Sequence, residues 1–275
     1  MSSRKICALP GAGEFYSGRM GLESGVTIHY AHRGHGIEPP VVFLHGYVDS
    51  WRSFAGVLEA LSATRRVVAP DLRGHGDSDK PECCYAMEDH ARDLLLLMDG
   101  LGIDKADLVG HSMGSFIAQF FAARFPSRVG RLVLVSSAAS LAHKSAVLDL
   151  KPHIDALQDP VPKSFAVDFQ TPSNPVPAGF MEMILSETMK VPAHVWRSAF
   201  SELLRVNHEP ILGEISAPTL LLWGNQDGMF VRQDQEVLLS GIADSRLEEF
   251  ETGHCPHWEK PEETSRVLEG FLGRK

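Results

Sequence analysis

Short apolar runs recur along the chain, and most are continuous rather than alternating: VVFLHG (41–46), RVVAPD (66–71), ADLVG (106–110), RLVLVSS (131–137) and TLLLWG (219–224). Runs of this length and composition predict strands covered on both faces, the situation of a parallel sheet. Helical patterns lie between them. DHARDLLLLMDGLG (89–102) carries an apolar stripe and ends on glycine, and MGSFIAQFFAARF (113–125) is apolar nearly all round, as a helix pressed into a sheet must be. This alternation predicts an α/β fold with a doubly wound, mostly parallel sheet.

From 141 to 210 the strand rhythm stops. The stretch holds eight of the 17 prolines and helical pieces such as GFMEMILSETMK and AHVWRSAFSELLR. It reads as a helical lid inserted after the sixth strand, with 1–140 and 211–275 forming the core. Its Phe165, Phe169, Phe180, Met181, Met183 and Trp196 either fasten the insertion to that core or line an apolar pocket. Phe169, Met183 and Trp196, with Trp51 of the core, are the candidate substrate contacts.

Composition narrows the function. A net charge of −9 argues against nucleic-acid or anionic-membrane surfaces, which reward clustered Lys and Arg. The first residues, MSSRKICALPGAGEF, offer only a four-residue apolar run, whereas a spanning helix needs about 20 apolar residues. A cytoplasmic location is therefore expected. Cys7, Cys83, Cys84 and Cys255 lack framework spacing and read as reduced thiols.

The chemistry concentrates in GHSMG (110–114), between the strand ADLV and the apolar helix. G-x-S-x-G in a strand–turn–helix setting describes a nucleophile elbow, which holds Ser112 proud of the sheet at a helix N-terminus. The plainer alternative is a glycine-rich turn whose serine caps the helix. FLHG (43–46), DLRGHGDS (71–78), LLLWGNQDG (220–228) and ETGHCPHWEKPEE (251–263) fall where an elbow's partners belong. Together these motifs resemble the α/β-hydrolase fold with a lid, over nearly the whole length from Thr27 to Phe271.

The resemblance implies that the backbone N–H groups of Tyr47, following His45-Gly46, and of Met113 form the oxyanion hole. His45 is read as a buttress of that loop, and Asp71 and His75 as loop-shaping. The acid must follow Ser112 at the end of a later strand; Asp227 fits, with Asp234 a weaker rival inside the next helix. The base comes last. SRLEEFETG (245–253) reads as the final strand, His254 is the first side chain beyond it, and His257 descends toward the helix begun at Pro261. His254 is therefore the expected general base and His257 a structural neighbour. A metal site built from His254, Cys255 and His257, or from His29, His32 and His35, competes, but no second ligand pair has zinc-like spacing.

The implied reaction is hydrolysis of an ester or lactone through an acyl-enzyme, with no metal or organic cofactor. Ser112 argues strongly against a haloalkane dehalogenase or an epoxide hydrolase, whose nucleophile on this fold is an aspartate. Serine relatives on the fold include acyl-ester and lactone hydrolases, carbon–carbon bond hydrolases, cofactor-free perhydrolases and macrolide esterases. The Pro-rich, Met- and Phe-bearing lid suggests a roomy apolar pocket, compatible with a bulky small-molecule ester or a macrocyclic lactone; that the lactone is a macrolide is implied by the resemblance alone. A small-molecule receptor retaining the triad is the alternative from another class.

Overall fold

A computed structural model describes residues 4–6, 15–34, 39–142 and 144–273. Within them nine strands form one sheet: β1 (Arg4–Ile6), β2 (Phe15–Gly21), β3 (Thr27–Arg33), β4 (Val41–Leu44), β5 (Val67–Pro70), β6 (Ala106–His111), β7 (Val129–Val135), β8 (Thr219–Gly224) and β9 (Ser245–Phe250). Their spatial order is β1-β2-β3-β5-β4-β6-β7-β8-β9. The first three strands and the β3–β5 pairing are antiparallel, and every pairing from β5 to β9 is parallel. Eleven α-helices accompany them: α1 (Ala55–Ala60), α2 (Met87–Gly100), α3 (Met113–Arg124), α4 (Ser145–Leu148), α5 (Lys151–Asp155), α6 (Lys163–Gln170), α7 (Ala178–Thr188), α8 (Ala193–Leu203), α9 (Arg232–Gly241), α10 (Pro256–Glu259) and α11 (Pro261–Leu272).

The continuous apolar runs follow from the two-sided burial of the parallel strands. Val42, Leu44, Leu108, Leu132, Leu134 and Leu221 face a core shared with α2 and α3. Val41, Phe43, Val109, Val133, Leu220 and Leu222, their alternating neighbours, face a second core with Phe54 and with Leu58 and Phe271 of α1 and α11. Because side chains alternate across a strand, burial on both sides makes these runs continuously apolar.

Helices α4 to α8 occupy the stretch between β7 and β8. The insertion thus follows the seventh strand in chain order rather than the sixth, the three-residue β1 being the extra one. At its root Ser140 and Asn207 form an antiparallel bridge. Pro162, Pro177 and Pro192 stand directly before α6, α7 and α8, with φ between −73 and −55°. Proline disfavours helix in the residue before it yet suits a helix start, so each marks a boundary between pieces.

Cys83 and Cys84, expected as reduced thiols, are joined in a disulfide between neighbours, which corrects that expectation; a link across adjacent residues does not staple distant segments. Cys255 is free and buried. Cys7 and His35 lie outside the described residues. Among the described residues, no helix is long and apolar enough to cross a membrane.

Candidate active site

Strand β6 ends at His111, and Ser112 then takes φ 49° and ψ −116° before α3 begins at Met113. Positive φ in a residue with a side chain is strained and persists only where the surroundings enforce it. Here the Ser112 N–H donates to Val135 O at 3.0 Å, and its carbonyl accepts the Ser115 N–H and hydroxyl at 2.8 and 2.6 Å. The turn also needs its glycines. A Cβ on Gly110 would run into the Gly114 carbonyl, and one on Gly114 into the carbonyl of Leu44. Ser112 is left half-buried and lining a cavity.

Asp227 and His254 come from the ends of adjacent parallel strands. Gly224 of β8 pairs with Phe250 of β9, and the pairing continues past both strands as Asn225 N–H to Phe250 O (2.9 Å) and Gln226 N–H to Thr252 O (2.9 Å). The zipped loops bring His254 Nδ1 to 2.8 Å from Asp227 Oδ2, while Asp227 Oδ1 accepts the Met229 and Phe230 N–H groups at 2.8 and 3.1 Å. Burial works to raise the Asp227 pKa, but the His254 charge and these hydrogen bonds outweigh it and hold the carboxylate below its ordinary value. Burial likewise works to lower His254, yet attraction and hydrogen bonding to Asp227 leave it above the ordinary histidine value. Asp234 plays a different part: Oδ2 accepts the Val231 N–H at 2.8 Å, capping α9.

Tyr47 lies in the loop after β4, followed by Val48 at φ 57°. The Tyr47 hydroxyl donates to Trp196 O of α8 at 2.6 Å, tying the loop to the insertion. Met113 is the first residue of α3, where N–H groups have no partner within the helix; its side chain is buried in the core. His45 braces the same loop: Nδ1–H donates to Gly46 O at 2.8 Å and Nε2 accepts the Leu72 N–H at 2.9 Å. Asp71 shapes the next loop, accepting the Trp51 and Asp77 N–H groups and pairing with His29 at 2.8 Å.

One cavity of about 330 Å³ contains Ser112, Asp227 and His254 together with Tyr47, and its apolar wall includes Phe116, Leu141, Phe169, Phe200 and Met229. Of the expected substrate contacts, Phe169 lines it. Trp51, Met183 and Trp196 do not, which corrects that expectation. Trp51 packs against Phe15 in the second core, at 5.8 Å between ring centroids. Trp196 is fully buried beneath Tyr47 and Phe169, at 5.4 and 5.2 Å. Met183 packs in a separate cluster with Ile184, Cys255 and Trp258.

Among the described residues, neither histidine cluster considered for a metal brings its ligand atoms together. His257 is buried, with its ring 4.2 Å from that of His111 and Nε2 3.1 Å from the Ser53 hydroxyl. His32 lies between the tilted rings of Tyr16 and Tyr30, and His29 is committed to Asp71. Among the described residues the only group close enough to share an ion is His29, Asp71 and Asp77, and each already has a protein partner.

Polar cavity residues that the sequence reading did not assign include Asp49, His111 and Gln170. Asp49 stands two residues beyond the expected oxyanion donor Tyr47, and His111 directly precedes Ser112.

A sheet of this order, with an elbow after β6 and an acid–histidine pair after β8 and β9, defines an α/β-hydrolase-type protein. The family model described as alpha/beta hydrolase fold matches residues 39–191, and the chain belongs to that family. It is 32% identical over 274 residues to 2-hydroxy-6-oxononadienedioate/2-hydroxy-6-oxononatrienedioate hydrolase 2 of Pseudomonas putida, covering 91% of this chain and 93% of that one. It is 30% identical over 275 residues to 2-hydroxy-6-oxo-2,4-heptadienoate hydrolase of Pseudomonas putida, covering 93% and 96%. Among solved structures, the enol-lactonase of Burkholderia xenovorans LB400 superposes with a TM-score of 0.83 at 24% identity, covering 94% of this chain and 100% of the other; that likeness is one of fold.

Proposed function

We propose that the chain is a serine hydrolase acting on a small ester or lactone through an acyl-enzyme. The observation that supports this best is the gathering of a strained, half-buried Ser112 and the hydrogen-bonded Asp227–His254 pair in one largely apolar cavity. In the proposed reaction, His254 Nε2 takes the Ser112 hydroxyl proton as Oγ attacks the substrate carbonyl. The N–H groups of Tyr47 and Met113 stabilise the resulting oxyanion. The C–O bond to the leaving alcohol then breaks, the alcohol taking its proton from His254. Water attacks the acyl-enzyme by the same route and regenerates Ser112.

A cavity of about 330 Å³ stands at the lower end of the range for small-molecule sites, about 300–1,000 Å³. It suits a compact ester or lactone; a macrolide would require the insertion to move away. Turnover of p-nitrophenyl butyrate tests the reading, together with its loss in Ser112→Ala and a phosphonate adduct mapped to Ser112. Turnover that survives Ser112→Ala would rule it out.

The relatives favour a second reading, hydrolysis of a carbon–carbon bond in a 2-hydroxy-6-oxo-dienoate. Two such hydrolases are at least 30% identical over more than nine-tenths of this chain. Loss of dienoate absorbance with release of the cleaved acid, faster than any ester is consumed, would select it.

A further inference from the structure

We propose that Asp49 is a selectivity residue of this cavity, a carboxyl that disfavours substrates bearing a carboxylate and admits uncharged ones. The proposal rests on the hydrolase reading above. Among the described residues lining the cavity there is no lysine or arginine to receive an anion, whereas Asp49 and Asp168 both contribute carboxyls besides Asp227.

Asp49 sits two residues beyond Tyr47 and is only 2% exposed. Its Oδ1 accepts from Gln170 Nε2 of α6 at 3.2 Å, and its Oδ2 lies 3.2 Å from the Ser53 hydroxyl. Both partners are uncharged. The nearest cation in its own loop, Arg52, is paired with Glu187 at 3.3 Å. From the other elements His254, Cys255 and, across Gly46, His111 face Asp49, and His257 reaches it through Ser53.

The hydrogen-bonding capacity of the Ser53 hydroxyl limits what this arrangement can hold. The hydroxyl accepts from Trp258 Nε1 at 2.9 Å, which leaves it one donor and one further acceptor site. Asp49 Oδ2 and His257 Nε2 must share these two, so one of them brings a proton to Ser53 and the other receives one. Burial keeps His257 neutral, with a pKa well below the usual value. Asp49 can therefore be a neutral acid donating to Ser53, or a carboxylate accepting from it while His257 switches tautomer. Burial raises the Asp49 pKa to about 7, with the bonds from Ser53 and Gln170 and the charge on His254 opposing it. Asp49 is then neutral below about pH 7 and adds a negative charge to the cavity wall above it.

A purely structural Asp49, tethering the insertion through Gln170, is the competing explanation, and substrate charge separates the two. The experiment compares kcat/KM for p-nitrophenyl butyrate and mono-p-nitrophenyl glutarate, which share a leaving group but differ in a terminal carboxylate, from pH 6 to 8.5. Both require unprotonated His254, so its titration cancels in the ratio. The neutral ester should be favoured, and increasingly so as pH rises through 7. In Asp49→Asn the ratio at pH 8.5 should shift toward the anionic ester by about tenfold and lose that pH dependence. An unchanged ratio in Asp49→Asn overturns the proposal. Should that variant fail to fold, a ratio in the wild-type protein that is flat with pH overturns it equally. Absence of turnover on either ester, or turnover that survives Ser112→Ala, brings down the hydrolase reading and the proposal with it.

Discussion

His254 Nδ1 stands 2.8 Å from Asp227 Oδ2, and this contact decides which imidazole nitrogen is left to act on Ser112. With its proton on Nδ1, the ring keeps the Nε2 lone pair as the base. The relation depends on the register of β8 against β9, which continues into the two loops.

Asp227→Asn keeps the shape but removes the charge. The expected result is a fall in kcat of about 10³–10⁴-fold, the loss that follows when a triad histidine takes the wrong tautomer. The pH profile should change as well. In the wild-type protein kcat/KM should rise with pH through a value above the ordinary histidine pKa, since Asp227 outweighs burial in setting His254. Without that charge burial wins, and the limb should move to lower pH. A limb that stays in place would remove His254 as the titrating base.

His254→Ala and His257→Ala should differ in kind. The first should abolish turnover with little effect on melting temperature. The second removes a ring packed among Phe54, His111 and Trp258 and leaves Ser53 short of a partner. It should cost about 2–4 kcal/mol in denaturant unfolding. The opposite pattern would exchange the two assignments.

Gly114→Ala tests the turn that presents Ser112. A methyl group there meets the Leu44 carbonyl on the neighbouring strand, which can yield only by moving the sheet or the helix. A loss of about 1–3 kcal/mol is expected, with a fall in kcat exceeding any rise in KM, because the reacting oxygen itself is displaced. Unaltered stability and rate would mean that the turn is not held as described.

Much of this arrangement is legible in the sequence because it depends on local patterns. VVFL and TLLLWG declare two-sided burial, Ser112 and Asp227 each stand just beyond an apolar run, and His254 stands just beyond the final strand SRLEEF. The direction a helix faces is not local. Trp196 and Phe169 both read as lid aromatics, yet α8 turns Trp196 into the core while α6 brings Phe169 to the cavity. Asp49 was hidden for a related reason: its carboxyl acquires meaning only once Gln170, Ser53 and His257, far apart in the chain, surround it. Trp51 follows the loop outward to Phe15 on the opposite side of the sheet, which no spacing in HGYVDSW records.

Asp49 also makes a prediction about stability. Its pKa is about 7 in the folded protein, against about 3.9 for an unfolded aspartate. Between these values the folded state holds a proton that the unfolded state has released, so stability falls as pH rises through this window. Above pH 7 the full cost of a buried carboxylate is present, on the order of a few kcal/mol. Asp49→Asn removes that ionisation while keeping an amide able to bond Ser53 and Gln170. Denaturant unfolding of the two proteins should therefore show the variant gaining relative to wild type from pH 5 to 8.5, with the gain levelling off above pH 7. A difference that is constant across that range would mean Asp49 does not titrate there, and the charge of the cavity wall would have to be reassigned.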